Sequence, residues 1–286
     1  MPSRPVLRFA PSPNGRLHLG HAYSALFTWS VAEALGGIAL LRIEDIDAQR
    51  SKPEFDAAII EDLHWLGLSW PQPVLRQSTR FEAYAEAAAR LKEMGLLYPC
   101  FCTRRQVAER ATGTDPDGAP LYPGTCRHLS AQQRADRLAK CHPYQWRLLT
   151  DKAHALTGPL AVTSFDIKGN LSELAADPEK WGDAVIVRKE TPTSYHLSVT
   201  VDDAFQGVTH VTRGMDLYHA TDLHRLLQAL LGLPAPLYCH HRLVLDDGDI
   251  KLAKSRGSQS LADLRAAGWT AADVRQALGF GSPTSE

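Results

Sequence analysis

The sequence is short of cysteine: five in 286 residues, an odd and sparse set that excludes a disulfide mini-protein. It also lacks any excess of charge, with 31 Lys and Arg against 32 Asp and Glu and a formal net charge of -1. A protein that coats nucleic acid through a global basic field is thereby excluded, whereas a local basic face for one structured RNA is not. Nowhere do about 18 apolar residues run uninterrupted; the most apolar stretch near the N-terminus, residues 22–41, is broken by Ser24, Thr28, Ser30, Glu33 and two glycines. No transmembrane helix and no membrane partner are expected. No charged-apolar-small leader opens the chain, so the cytoplasm is the expected compartment. Internal repeats and low-complexity tracts are missing too. What is present is ordinary for a globular protein: 44% hydrophobic and 22% charged residues, in a length that suits one large or two modest domains.

Residues 6–10 form a short β-prone run that ends at Pro11-Ser12-Pro13-Asn14-Gly15. A helical pattern opens near Leu19, with Ala22, Leu26 and Trp29 on one face, and Gly36-Gly37 stops it. The continuous apolar run 38–43 then reads as a strand buried in a parallel sheet, so a βαβ unit opens the chain. Helices are expected at about 53–66 and 80–94. The pattern breaks down between Gly95 and Leu129, where Cys, Gly and Pro concentrate. Strands are expected at 144–149, 160–167, 183–189, 196–201 and 208–211, then a helix over 217–231 and a strand over 237–245. Ser260 and Thr270 are candidate N-caps of two short closing helices. The expected organisation is a first half of an α/β domain at 1–95, an insert at 96–190 and the second half of that domain at 191–286.

His18-Leu19-Gly20-His21 falls at the loop-to-helix junction directly after the first strand. That placement suits phosphate binding, because the first helical turn offers unpaired N–H groups and a positive dipole end. Two histidines three apart share one side and can both donate to a phosphate; Gly20 leaves the backbone open to a nucleotide. Lys251-Leu252-Ala253-Lys254-Ser255 follows far downstream on a turn-rich loop, where an ammonium can neutralise charge growing on a leaving pyrophosphate. Taken singly, the first motif also reads as two ordinary helix-start histidines and the second as a solvated lysine pair. Both in one chain, in this order, is a far rarer coincidence.

The block Arg8-Phe9-Ala10-Pro11-Ser12-Pro13-Asn14-Gly15-Arg16-Leu17-His18-Leu19-Gly20-His21, with Arg42-Ile43-Glu44-Asp45-Ile46-Asp47 and the segment Lys251 to Ser255, resembles the catalytic domain of class I glutamyl-tRNA synthetases over nearly the whole chain. The resemblance implies an α/β, Rossmann-type catalytic domain with a zinc-bearing insert. It implies ATP, taken with Mg2+, and L-glutamate as substrates. His18, Gly20, His21 and Lys254 match the family's ATP-handling positions; His18, His21 and Lys254 match the catalytic ones. Arg8, Phe9, Ala10, Pro11, Ser12, Glu44, Tyr195 and Arg213 match the glutamate pocket, with Arg8 and Arg213 on carboxylate oxygens, Glu44 on the α-amino group and Tyr195 orienting the substrate. Arginine forks suit a carboxylate and a carboxylate suits an ammonium. Taken singly, Glu44 or Arg213 would more commonly belong to a surface ion pair. Glutamine should be rejected, because its amide leaves the arginine charge unpaired. Val199 stands where these synthetases commonly carry Asn, which implies weaker binding of free glutamate with the reaction unchanged.

Cys100-Phe101-Cys102 and Cys126 offer three thiolates inside the irregular segment. One structural zinc would tie it together, although spacing alone leaves three unrelated buried thiols equally open. For the fourth ligand the resemblance points to Tyr122, while His128 is the better donor chemically. Cys141 and Cys239 lack partners at ligand spacing and are expected in the core. Only 31 residues follow Ser255, which leaves no room for the helical anticodon-binding domain of the longer synthetases. The resemblance is therefore to the short members of the family, which attach glutamate to the queuosine base in the anticodon of tRNA(Asp); it implies activation of glutamate without tRNA. A monomer with queuosine-bearing tRNA(Asp) as its partner is expected. A truncated synthetase charging a tRNA 3' end and an inactive tRNA-binding module are the alternatives.

Overall fold

The computed structural model describes residues 4–244 and 259–281. Strand β1 (Val6–Phe9), helix α1 (Leu19–Ala34) and strand β2 (Ile38–Ile43) form the expected βαβ unit, with Val6 opposite Ile38 and Phe9 opposite Leu41 in parallel register. The turn between α1 and β2 needs both of its glycines. Gly36 sits at φ +62°, and a Cβ on Gly37 would lie 2.6 Å from the Pro5 carbonyl oxygen. Helix α2 (Pro53–Trp65), the short strand β3 (Leu75–Arg76), which pairs with β2, and helix α3 (Phe81–Glu93) complete this half.

The chain then leaves the sheet. Strand β4 (Leu97–Cys100), helices α4 (Arg104–Ala108) and α5 (Ala131–Ala139), strand β5 (Gln145–Leu148) and helix α6 (Thr150–Thr157) lead to a hairpin of β6 (Ala161–Phe165) and β7 (Leu171–Ala175), and then to β8 (Val185–Val187). Strands β4, β5 and β8 form an antiparallel sheet of their own. Helix α7 (Tyr195–Phe205), strand β9 (His210–Gly214), helix α8 (Ala220–Leu231), strand β10 (Leu237–His241) and helices α9 (Leu261–Ala266) and α10 (Ala271–Ala277) follow. The second sheet runs β7-β6-β10-β9, parallel except for the antiparallel pair β6–β7, so the hairpin at 161–175 belongs to the main framework although it lies within the segment expected as an insert. The Thr209 amide donates to the Val6 carbonyl at 2.9 Å, which sets β9 alongside β1. The order β3-β2-β1-β9-β10-β6 reverses direction between β1 and β9, the place where open α/β sheets bind ligands.

One expectation fails here. Residues 196–201 are helical, within α7, and not a strand. Their β-branched Val199, Thr200 and Val201 mimic strand composition, yet such residues lower helix propensity by only a few tenths of a kcal/mol. Burial of Leu197 and Val199 and a cap from Ser194, whose hydroxyl accepts from the Leu197 amide, favour the helix. Strand β7 gave no apolar alternation because it is an edge strand exposed along its length.

One core packs α3, α7 and α8 beneath the sheet; a second packs α1 and α2 with Leu261, Leu264, Val274 and Leu278 of the last two helices. In α8 the stripe Leu223, Leu226, Leu227 and Leu230 follows the helical period, and each fully buried leucine contributes roughly 2 kcal/mol. The caps expected at Ser260 and Thr270 are both formed.

Asp62 of α2 is buried against Arg265 of α9, at 3.4 Å, and one of its oxygens has no partner. Burial outweighs the arginine and pushes its carboxyl up to about 6. A carboxyl raised in the fold holds its proton where the unfolded chain has released it, so stability falls as pH rises from about 4 to 6. Asp62→Asn is therefore expected to stabilise the protein at pH 7.5 by about 1–2 kcal/mol, discounted for partial solvent screening. Urea unfolding should show this gain narrowing as pH falls through 6 towards 4; a gain independent of pH would contradict the assignment.

Candidate active site and metal centre

A cleft of about 520 Å3 opens where β1 and β9 part, walled by the N-terminus of α1. It gathers Arg8, Phe9, Ala10, Pro11, Ser12, His18, Gly20, His21, Glu44, Tyr195 and Arg213, every expected ATP and glutamate residue except Lys254. Lys254 lies outside the described residues. The chain on either side of its segment meets the cleft: Val244 lines it, and Ser260 pairs with His18 while the Leu261 amide donates to the Leu17 carbonyl at 2.8 Å.

His18 and His21 cap α1 reciprocally. The Gly20 amide donates to His18 Nδ1 at 3.1 Å, and the His18 amide donates to His21 Nδ1 at 3.2 Å. Each Nδ1 is thus an acceptor, and a neutral ring must carry its proton on Nε2. The two rings lie 3.9 Å apart and present N–H donors beside a helix N-terminus. Gly20 acquires a reason beyond nucleotide access: a Cβ there would lie 2.9 Å from His18 Cε1.

Behind the cleft lies a buried charge network. Arg42, with 0% exposure, donates to Asp203 at 2.7 Å and to Glu44 at 3.1 Å; Arg8 donates to the same Asp203 oxygen at 2.9 Å. Two arginines and two carboxylates balance. Burial raises Glu44 against the pull of Arg42 and Arg8. At Asp203 burial also acts upward, but Arg8 and Arg42 together hold the carboxyl below its usual range. The adjacent Asp202 faces the other way and takes Arg80, Gln77 and the Tyr84 hydroxyl.

Arg213, 4% exposed, is held differently. Its nitrogens donate to His224 Nδ1 at 3.2 Å, to His240 Nε2 at 3.2 Å and to the Thr221 hydroxyl at 2.5 Å. Burial and the guanidinium charge push His240 down to about 3 and His224 well below its ordinary value, so both partners are neutral. Among the described residues no carboxylate pairs with Arg213. A buried cation without a counterion favours an anionic ligand strongly.

The site thus rests on residues given no role in the sequence: Asp203, Thr221, His224 and His240, with Arg42 quoted there only as part of a motif. The one signal was Arg42, a charge inside a run expected to be a buried strand, which demands a carboxylate partner. Val199 is 1% exposed, within the core, and does not line the cleft.

In the segment after β4, Cys100, Cys102 and Cys126 bring their sulfurs within 4.8 Å of one another. Cys102 Sγ lies 3.5 Å from Cys126 Sγ and 4.0 Å from the Tyr122 hydroxyl, which accepts from the Cys126 amide at 2.7 Å. The Cys126 thiol, donating, draws the Cys100 thiol below its ordinary value against the effect of burial. Three thiols and a phenol fit a tetrahedral, sulfur-rich site. His128 is exposed and outside the cluster, so Tyr122 is the better-placed fourth donor. Cys141 is exposed, contrary to expectation, at φ 52° after the last turn of α5; Cys239 is half-buried. If the metal is zinc, elemental analysis should find one per chain. Cys102→Ser, at the most exposed of the three thiols, should reduce it below about one fifth; unchanged occupancy would remove Cys102 from the ligand set.

No helix among the described residues is long and apolar enough to cross a membrane. Comparison with known proteins gives concordant matches. A glutamyl-Q tRNA(Asp) synthetase of Rhodobacter capsulatus is 45% identical over 284 residues, covering 96% of this chain and 100% of that protein. The glutamate–tRNA ligase of Aquifex aeolicus is 37% identical over 268 residues, covering 93% of this chain but 55% of that protein. The crystal structure of a glutamate tRNA ligase from Elizabethkingia meningosepticum in complex with its amino acid matches with a TM-score of 0.69 at 28% identity, covering 93% of this chain and 54% of that one. The chain thus spans about half the length of these two ligases. With residues 6–279 matching the catalytic domain of class I tRNA synthetases (E and Q), and with the sheet reversal and the histidine-capped helix in place, the chain belongs to that family.

Proposed function

We propose that this protein activates glutamate with ATP, without tRNA, and transfers the glutamyl group to the queuosine base in the anticodon of tRNA(Asp). The observation that carries the first half is Arg213: a buried guanidinium, held by neutral partners, lining a cleft that also offers His18 and His21 at a helix N-terminus. A carboxylate seated on Arg213 supplies the missing counterion, and Glu44 offers an anionic oxygen for an ammonium. Arg8, already paired with Asp203, adds a second guanidinium to the cleft lining.

In the reaction an oxygen of the α-carboxylate attacks the α-phosphorus of ATP. The bond to the bridging oxygen breaks, and pyrophosphate leaves with that electron pair. His18 and His21 donate from Nε2 to phosphate oxygens as charge shifts on to them, and the N-terminal dipole of α1 adds to this. In the second step a hydroxyl of the queuosine cyclopentenediol attacks the acyl carbon, AMP departs, and the hydroxyl proton is lost to solvent or phosphate. No protein nucleophile is required; positioning and electrostatics do the work. Lys254 is proposed to act on the pyrophosphate side. Bound Mg2+ would share charge on the phosphates, and zinc in the cysteine cluster would hold the insert.

The choice of acceptor rests on the match to the whole length of the R. capsulatus protein. The second reading, charging of a tRNA 3' end, is favoured by the glutamate–tRNA ligase matches. Glutamate-dependent exchange of labelled pyrophosphate into ATP, without tRNA, tests the first step. For the second, tRNA(Asp) with queuosine and with its terminal adenosine trimmed off should still accept labelled glutamate, and the unmodified transcript should not. Charging of a tRNA(Glu) transcript in its place would overturn the queuosine assignment.

A further inference from the structure

The hydrogen bonds behind Arg213 continue past the cleft wall. His224, 2% exposed on α8, receives the Arg213 proton on Nδ1 and so bears its own proton on Nε2. That Nε2 lies 3.2 Å from His196 Nδ1 on α7, which must then be the acceptor, leaving the His196 proton on Nε2. Two imidazoles and a guanidinium form a directional row with one proton per junction. Tyr195, in the cleft wall, meets both rings edge-on at 5.5 Å, and Trp181 meets His196 at 5.0 Å.

We propose that His224, backed by His196, is a positioning residue that fixes the Arg213 guanidinium while leaving its charge uncancelled, and thereby sets the preference of the cleft for a carboxylate over an amide. The proposal rests on the reading of Arg213 as the receptor for a substrate carboxylate. Arginines in buried sites are commonly steadied by Asp or Glu, as Arg8 and Arg42 are by Asp203 here. A carboxylate in that role would satisfy the guanidinium before substrate arrived and remove most of its discrimination between glutamate and glutamine. A neutral imidazole supplies the same lone pair without the charge. The ring also has to stay neutral, since protonation would turn its acceptor into a donor aimed at a cation. The surroundings enforce this. Burial acts first, and the groups facing the pair are cationic or neutral: Arg213 on β9, Arg8 on β1 and His240 on β10 towards His224, and Arg188 beyond β8 towards His196, with Tyr195 alongside. Burial and these charges hold His196 down at about 3.

The test compares His224→Leu, His224→Gln and His224→Glu in pyrophosphate exchange with glutamate and with glutamine. His224→Leu should raise KM for glutamate about 10- to 150-fold, the range for losing a hydrogen bond to a charged group, with kcat and the KM for ATP within about twofold. His224→Gln, which restores a neutral acceptor, should recover KM to within about threefold. His224→Glu should lower the glutamate-to-glutamine ratio of kcat/KM at least about tenfold. An unchanged KM in His224→Leu, an equal loss in ATP binding, or a preserved ratio in His224→Glu would overturn the proposal. Imidazole 15N spectra of the unmodified protein give a readout free of substrate. His224 should remain the neutral Nε2–H form from pH 5.5 to 8, and titration near the ordinary histidine value would overturn the cradle. A complete absence of glutamate-dependent exchange in the unmodified protein would instead overturn the proposed reaction, and the spectra would still decide the cradle.

Discussion

Replacing Arg213 with leucine is expected to lower kcat/KM for glutamate about a thousandfold, corresponding to about 4 kcal/mol of lost transition-state stabilisation. The size follows from the state of the charge before substrate binds. Arg213 is 4% exposed and its partners are His224, His240 and Thr221, all neutral. Burial limits its solvation and, among the described residues, no side chain neutralises it, so a carboxylate seated there would complete the site. Arg8 differs, because Asp203 already takes its Nε at 2.9 Å; Arg8→Leu should therefore leave Asp203 with Arg42 alone and lower stability as well as activity. Arg213→Leu should leave urea stability unchanged or raise it, since it removes an uncompensated buried charge. Exchange kinetics and urea unfolding on the same preparations separate the two effects. A kcat/KM within about fivefold of the unmodified enzyme would remove Arg213 from the pocket.

Arg42→Met is expected to destabilise the fold by about 3–5 kcal/mol, the range for breaking a buried ion pair from one side. Arg42 has no exposure and bridges Asp203 and Glu44, with Gln206 as a further acceptor at 3.0 Å. Its removal leaves Glu44 without its nearest cation and Asp203 with Arg8 alone. The pH dependence gives the sign. In the unmodified protein Asp203 is held below its usual range, so its contribution is present above about pH 4 and is lost as pH falls through the depressed value. In the variant both carboxyls rise and take up protons more readily. The deficit should be largest near pH 7.5 and smaller at pH 5. Urea unfolding at both values is the measurement, and a loss below about 1 kcal/mol at each would show that the network is not needed for folding.

The parts of this protein that the sequence determined are those settled within a few covalent bonds. His18, Gly20 and His21 had to build a helix start because the spacing that makes a capping box is local. Gly36-Gly37, Ser260 and Thr270 ended or began helices for similarly local reasons of backbone freedom and hydrogen-bond capping. The cysteines at 100, 102 and 126 were legible as a group, although the choice of Tyr122 over His128 came from a resemblance and became physical only when the phenol was found beside the thiols.

Tertiary structure decided the rest, because burial and charge balance are sums over residues distant in the chain. Helix α7 carries strand-like residues and is helical because its faces meet α3 and α8. Its consecutive Asp202 and Asp203 look equivalent in the sequence, yet one closes a network with Arg80 and Tyr84 and the other with Arg8 and Arg42. Histidines 196, 224 and 240 have no mutual spacing that marks them as a set. They acquire a role only when α8 and β10 bring two neutral rings on to one arginine and α7 sets a third behind His224, since a charge left without a counterion is a property of the packed surroundings and of no single residue.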